Sequence, residues 1–135
     1  MILERHEQVF SIIKVPAIPP GVNNYVRHTR NGIHYITREA QAFKELLAAS
    51  CVGVDPVHGH EFEVEITVML GKGERGDVDN FPKLVLDTIG KIGLFRDIKT
   101  GKKMSDAHVT RLTVTKERGE ESRTVIEIVG VQTKS

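Results

Sequence analysis

Polar and apolar residues alternate most strictly between Glu61 and Leu70. Phe62, Val64, Ile66 and Val68 face one way, and Glu61, Glu63, Glu65 and Thr67 face the other. A period of two over this length predicts a half-exposed strand, with the glutamates on its solvated side. Val9–Val15 is β-branched and apolar, a second strand, and it stops at Pro16, Pro19, Pro20 and Gly21. Those residues allow neither ladder nor helix to continue, so an irregular loop follows. Asn31-Gly32 is a turn pair suited to a hairpin whose returning strand lies within Gly32–Thr37. The spacing of Ala40, Phe43, Leu47 and Cys51 predicts a helix, with Thr37 as N-cap, Glu39 in the first turn and Gly53 as stop. A second helix runs from Asp79 or Asn80 to about Gly90 or Gly93, and a polar loop follows to Ser105. Strands over 108–116 and 123–131, joined by a charged turn, complete the chain. The order β, β, α, β, α, β, β predicts an α+β two-layer domain, with two helices on one face of a mixed or antiparallel sheet.

The second helix opens on a dense acidic stretch, Arg75 to Asp87, reading RGDVDNFPKLVLD. Asp79 or Asn80 suits the N-cap, and Pro82 is comfortable in the first turn. Asp79, Lys83 and Asp87 then share one polar stripe, while Leu84 and Val85 face the core. A capped surface helix accounts for all of these residues and leaves Asp77 over. In an extended lead-in its carboxylate lies on the same face as that of Asp79. Two convergent carboxylates repel unless one is protonated or a cation lies between them. Magnesium prefers such oxygen ligands, so spacing alone leaves a capped helix and a metal site both open. A calcium-binding EF-hand loop starting at Asp77 fails, because Pro82 and Thr88 occupy the places of its glycine and its bidentate glutamate. A glycosyltransferase-type DxD site lacks a Gly-rich phosphate loop after a strand.

The 135 residues suffice for a single domain, 1–135, with 1–8 and 131–135 expected as loose ends. No apolar run is long enough to span a bilayer, and the charged start lacks the pattern of a secretory signal. A lone Cys51 forms no internal disulfide and fits a reducing, cytoplasmic setting. A net charge of +1 argues against a general nucleic-acid coat, but the charge is unevenly placed. Arg27, Arg30 and Arg38 form one basic segment, and Lys91, Arg96, Lys99, Lys102 and Lys103 form another against Asp97 alone. Two basic segments flanking an acidic one suit a polyanion whose phosphate approaches bound metal.

GDVDNFPKLVLDTIG resembles the D-x-D-N-x-x-K-x-x-x-D segment of the RusA family of Holliday junction resolvases. VPAIPPGVNNYVRH is similar to that family's Pro-Pro, Asn and Tyr-x-Arg-His segment, and SDAHVTRLTV to its acidic doublet and following strand. The likeness covers about Phe10 to Ile128. It implies a magnesium-dependent endodeoxyribonuclease, with manganese possible in place of magnesium. It also implies a homodimer that cuts four-way junctions by paired symmetric nicks in recombination and repair, and a bacterial or phage-encoded gene. Carried onto this chain, Asp77 and Asp79 are metal ligands and Lys83 is the family's lysine. The third acid is Asp106 when read back from the strand, and Asp97 when read forward from the helix. Asp106 is preferred because a strand anchors it, and Ser105 stands where the doublet has its first acid. The basic residues Arg27, Arg30, Arg38, Lys99, Lys102 and Lys103 are the expected DNA contacts. Asn23 and Asn24 serve either DNA or Asx turns. The competing expectation is a branched-DNA-binding protein without nuclease activity.

Overall fold

A computed structural model describes residues 5–19, 26–28, 34–36, 38–73 and 82–133. Four long strands form one sheet: β1 (Arg5–Val15), β5 (Glu61–Leu70), β7 (Val109–Arg118) and β8 (Arg123–Thr133). Their spatial order is β1-β8-β5-β7. The sheet is mixed: β8 runs antiparallel to both β1 and β5, whereas β5 and β7 are parallel. Two helices, α1 (Arg38–Ser50) and α2 (Pro82–Ile92), make the second layer of an α+β domain, as the pattern predicted.

The alternation in β5 becomes the alternation of burial. Phe62, Val64, Ile66, Val68 and Leu70 are all buried, while Glu61, Glu63 and Glu65 lie on the other, open face. From β8, Ile126 and Ile128 stand opposite Ile66 and Val64, and Ile13 of β1 continues the same row. The helices supply Ala40, Phe43 and Leu47 from α1 and Leu84, Val85 and Ile89 from α2 to the same core. Burying each large aliphatic side chain contributes about 1.5–3 kcal/mol.

The strands at 108–116 and 123–131 were expected to be joined by a turn, and they are, but they are not neighbours. β5 lies between them, and the 119–122 connection passes its end. There the Gly119 amide donates to the Leu70 carbonyl at 3.0 Å, and the Gly71 amide donates to Ser122 Oγ at 3.1 Å. The β1–β8 pairing also reaches Glu7↔Val131, His6↔Gln132 and Arg5↔Thr133, beyond a register shift between Glu7 and Phe10.

Four short strands complete the fold. β2 (Val26–His28) and β3 (His34–Ile36) form the expected antiparallel hairpin, whose tip lies outside the described residues. β4 (Val57–Gly59) and β6 (Phe95–Asp97) form a parallel pair that the pattern did not reveal. Three-residue strands are too short to show a period. Their anchors are Val57 and Phe95, both fully buried; the Phe95 ring lies 4.8 Å from Phe62, centroid to centroid, tilted by 42°. β4 crosses β8 so closely at Gly130 that a Cβ there would run into the His58 carbonyl.

Candidate active site

α2 is the element on which the site is built. Pro82 opens it, matching the preference for proline in a first turn. Leu84, Val85, Leu86, Thr88 and Ile89 fix its inner side, and the buried Thr88 hydroxyl is satisfied by the Leu84 carbonyl at 2.7 Å. Lys83 is left exposed in the first turn, with the partly exposed Asp87 one turn further on. The helix ends at Gly93, whose φ of 95° favours glycine. Amides of Gly93 and Leu94 close back on the Ile89 carbonyl at 3.2 and 3.1 Å, a Schellman-type ending.

The basic segment after α2 is folded back onto the helix end. Arg96 Nε donates to the Gly93 carbonyl at 2.9 Å, and its Nη1 donates to the Gly101 carbonyl at 3.3 Å. Lys103 Nζ donates to the Lys91 carbonyl at 3.2 Å, placing a cation at the negative end of the helix. Lys99, Lys102 and Lys103 are exposed. Met104, whose amide donates to the Phe95 carbonyl at 2.8 Å, then leads the chain back to α2.

The two contenders for the third acid have different surroundings. Asp97 Oδ2 accepts from the Lys99 amide at 3.1 Å, the Thr100 amide at 2.8 Å and the Thr100 hydroxyl at 2.9 Å. These bonds, the Thr100 amide foremost, hold its carboxyl below the usual carboxylate range. Asp97 is thus the anchor of the 97–101 turn. Asp106 opens a 3-10 turn, Asp106–His108, immediately before β7, and is exposed. Ser105 caps this turn, its Oγ accepting from the Ala107 amide at 3.2 Å.

Asp106 and Asp87 line one open cleft of about 310 Å³, together with Leu86, Gly90, Lys91 and Lys103. Gly90 is where the two walls meet, since a Cβ there would lie 3.7 Å from the Asp106 amide nitrogen. That contact is about 12 Å along the helix axis from Pro82. Asp87 therefore belongs to the surroundings of Asp106, a placement that its spacing from Lys83 gave no hint of.

Several expected site residues fall outside this description. Asp77, Asp79, Asn23, Asn24 and Arg30 lie outside the described residues, and Arg27 is described only as backbone of β2. Arg38 is exposed at the start of α1. Among the described residues, no three His, Cys, Asp or Glu side chains come together in a way that could hold a metal ion.

The fold and cleft define an α+β domain that presents carboxylates and lysines around one helix and the turn feeding a sheet edge. The chain belongs to the RusA endodeoxyribonuclease family, whose model matches residues 16–129. It is thereby an endodeoxyribonuclease of the crossover-junction-resolving kind, from a family that acts on branched Holliday junction DNA and generally depends on a divalent metal. No curated protein matches the chain. Among the described residues no helix is long and apolar enough to cross a membrane.

Proposed function

We propose that this protein resolves four-way DNA junctions by magnesium-dependent paired nicks, acting as a homodimer in DNA recombination and repair. Manganese is a workable substitute for magnesium. The observation that carries the reading is the exposed Asp106, capped by Ser105 and facing a cleft it shares with Asp87, within a chain of the RusA family. Exposed carboxylate oxygens are the donors a hard divalent cation takes, so the chemistry of these residues fits magnesium. Asp77, Asp79 and Asp106 are the proposed ligands. When bound, the metal supplies charge neutralisation at the phosphate and a more acidic water.

The remaining roles fall to the chain itself. Lys83 carries an exposed ammonium one turn into α2 and offsets charge growing on the phosphoryl oxygens. Asp87, at i+4, orients Lys83 and borders the Asp106 cleft. Lys99, Lys102 and Lys103, on a loop tied to α2, meet the DNA backbone, with Arg27, Arg30, Arg38, Asn23 and Asn24 as further contacts. Such phosphate contacts position the duplex and make binding salt-dependent.

Asp97 is the weaker candidate for third ligand because its Oδ2 already takes three hydrogen bonds. The test compares Asp77→Asn, Asp79→Asn, Asp106→Asn and Asp97→Asn in junction binding, magnesium-dependent nicking and calorimetric magnesium binding. The first three are expected to bind junctions, lose cleavage and bind magnesium more weakly. Full cleavage by Asp106→Asn, with loss in Asp97→Asn, moves the third ligand to Asp97. A wild-type chain that binds junctions but never cuts them, even on long incubation with manganese, is instead a branched-DNA-binding protein. The departure that supports this second reading is Ser105 itself, which stands where the family's doublet has its first acid.

A further inference from the structure

Between α1 and α2, on the side turned from the sheet, lies an open groove of about 280 Å³. Its α1 bank carries Gln41, Lys44, Glu45 and Ala48, whose steps of three and four residues put them on one stripe. Its α2 bank carries Lys91 and Ile92. None of the six belongs to the buried core: Lys44 is partly buried and the others are exposed, Ile92 with 39% of its surface. Lys91 also lines the cleft that holds Asp106 and Asp87. It is the ridge between that cleft and the groove.

The lining of the groove matches one strand of a nucleic acid. An ammonium stands on each bank for phosphate, and Ala48 and Ile92 offer apolar surface to the sugars between. Glu45 works against this, although its Oε1 accepts the Gln41 amide at 3.3 Å. The distances are short. Lys91 is one helical turn, about 6 Å, beyond Asp87, and packed helices lie about 8–10 Å apart, axis to axis. A DNA strand carries a phosphate every ~3.4 Å of helix axis, so the phosphates next to one in the cleft fall at Lys91 and then at Lys44.

We propose that the cut strand of the junction continues from the Asp106 cleft across Lys91 into the α1–α2 groove. Lys44 and Lys91 hold its flanking phosphates and so set which phosphate enters the cleft. Glu45 weakens that hold, which lets the nicked strand leave. The inference rests on the nuclease reading above, and it adds a strand path that the basic loop at 99–103 does not supply.

Salt dependence tests the path. Binding of the full chain to a fluorescent four-way junction is followed by anisotropy, without divalent metal and over about 50–200 mM salt. Lys44→Gln and Lys91→Gln are each expected to flatten the slope of log K against log salt by about one, and arginine at either position to keep it. Glu45→Gln is expected to tighten binding. Lys14→Gln serves as control, since Lys14 is exposed between the buried Ile13 and Val15 and so lies on the sheet face away from the helices. In single-turnover nicking with magnesium, the two glutamine variants should need more protein for half-saturation yet reach a maximal rate within about twofold of wild type. Circular dichroism confirms that each variant is folded. A wild-type slope in either lysine variant, an equal loss of slope in Lys14→Gln, or weaker binding by Glu45→Gln overturns the proposal. So does a lowered maximal rate with unchanged half-saturation. A wild type that binds junctions without nicking them overturns the nuclease reading instead, and the slopes still decide the groove.

Discussion

Ser105 allows a capping role and a missing acid to be separated in one position. Its hydroxyl accepts the Ala107 amide at 3.2 Å and holds the turn that presents Asp106. Replacing a capping serine with alanine costs about 0.5–2 kcal/mol. Here the turn is three residues long and exposed, and the bond is at the long end of the range, so about 0.5–1 kcal/mol is expected. At 25 °C this is a factor of about two to five in the population with an ordered turn. If only that population cuts, Ser105→Ala lowers the cleavage rate by at most about fivefold. Loss of Asp106 itself should cost about a hundredfold or more. Aspartate caps as well as serine, so Ser105→Asp should keep the stability and add a carboxylate beside Asp106. The assay is single-turnover nicking of a labelled junction under saturating magnesium, with urea unfolding of each variant in parallel. The expected order of rates is Ser105→Asp at or above wild type, then wild type, then Ser105→Ala. Alanine matching wild type in rate and stability, or aspartate behaving like alanine, would refute the capping argument.

Two glycines should respond to alanine with opposite signs. Gly130→Ala drives a Cβ into the His58 carbonyl and should cost about 1–3 kcal/mol or more in urea unfolding, whereas Gly90→Ala meets only ordinary contacts and should gain about 0.5–1 kcal/mol. Asp97 has a folded pKa lowered from 3.8, chiefly by the Thr100 amide. Its contribution to holding the 97–101 turn is present above pH 3.8 and lost as pH falls through the lowered folded value. Amide shifts of Lys99 and Thr100 should therefore move only below about pH 3.8, and a transition near neutrality would contradict the bonding described. Burial raises the Cys51 thiol to about 11, so iodoacetamide at pH 8 should label it slowly in the folded chain and readily in urea.

How much of this was legible in the letters depended on range. The faces of β5 were readable because each residue declares its own side, and the stripe Ala40, Phe43, Leu47, Cys51 was readable for the same reason. Which strands are neighbours was not, because the pairing of Glu61–Met69 with Arg123–Val131 is decided by contacts far along the chain. The β4–β6 pair was invisible because three residues carry no period, and its anchors Val57 and Phe95 declare themselves only by packing. At the site, the choice between Asp97 and Asp106 could not be argued from spacing across the basic insertion. It turns on which carboxylate already has partners, and the Lys99 and Thr100 donors to Asp97 have no sequence signature. The position of Asp87 beside Asp106 depends on the fold returning the chain to Gly90.

The place of β8 between β1 and β5 also sets an order of events. β1 pairs with β8 alone in this sheet, and β5 needs β8 on one side, although β8 is made last. Until residues 123–133 leave the ribosome, both the first strand and the central one lack that partner, with Ile13, Val64 and Ile66 awaiting the cover of Ile126 and Ile128. Pairings this distant in sequence make for slow closure of the sheet. A chain cut short before Arg123 would therefore lose far more than one strand: its remaining strands would be left open to proteases, to chaperones and to one another.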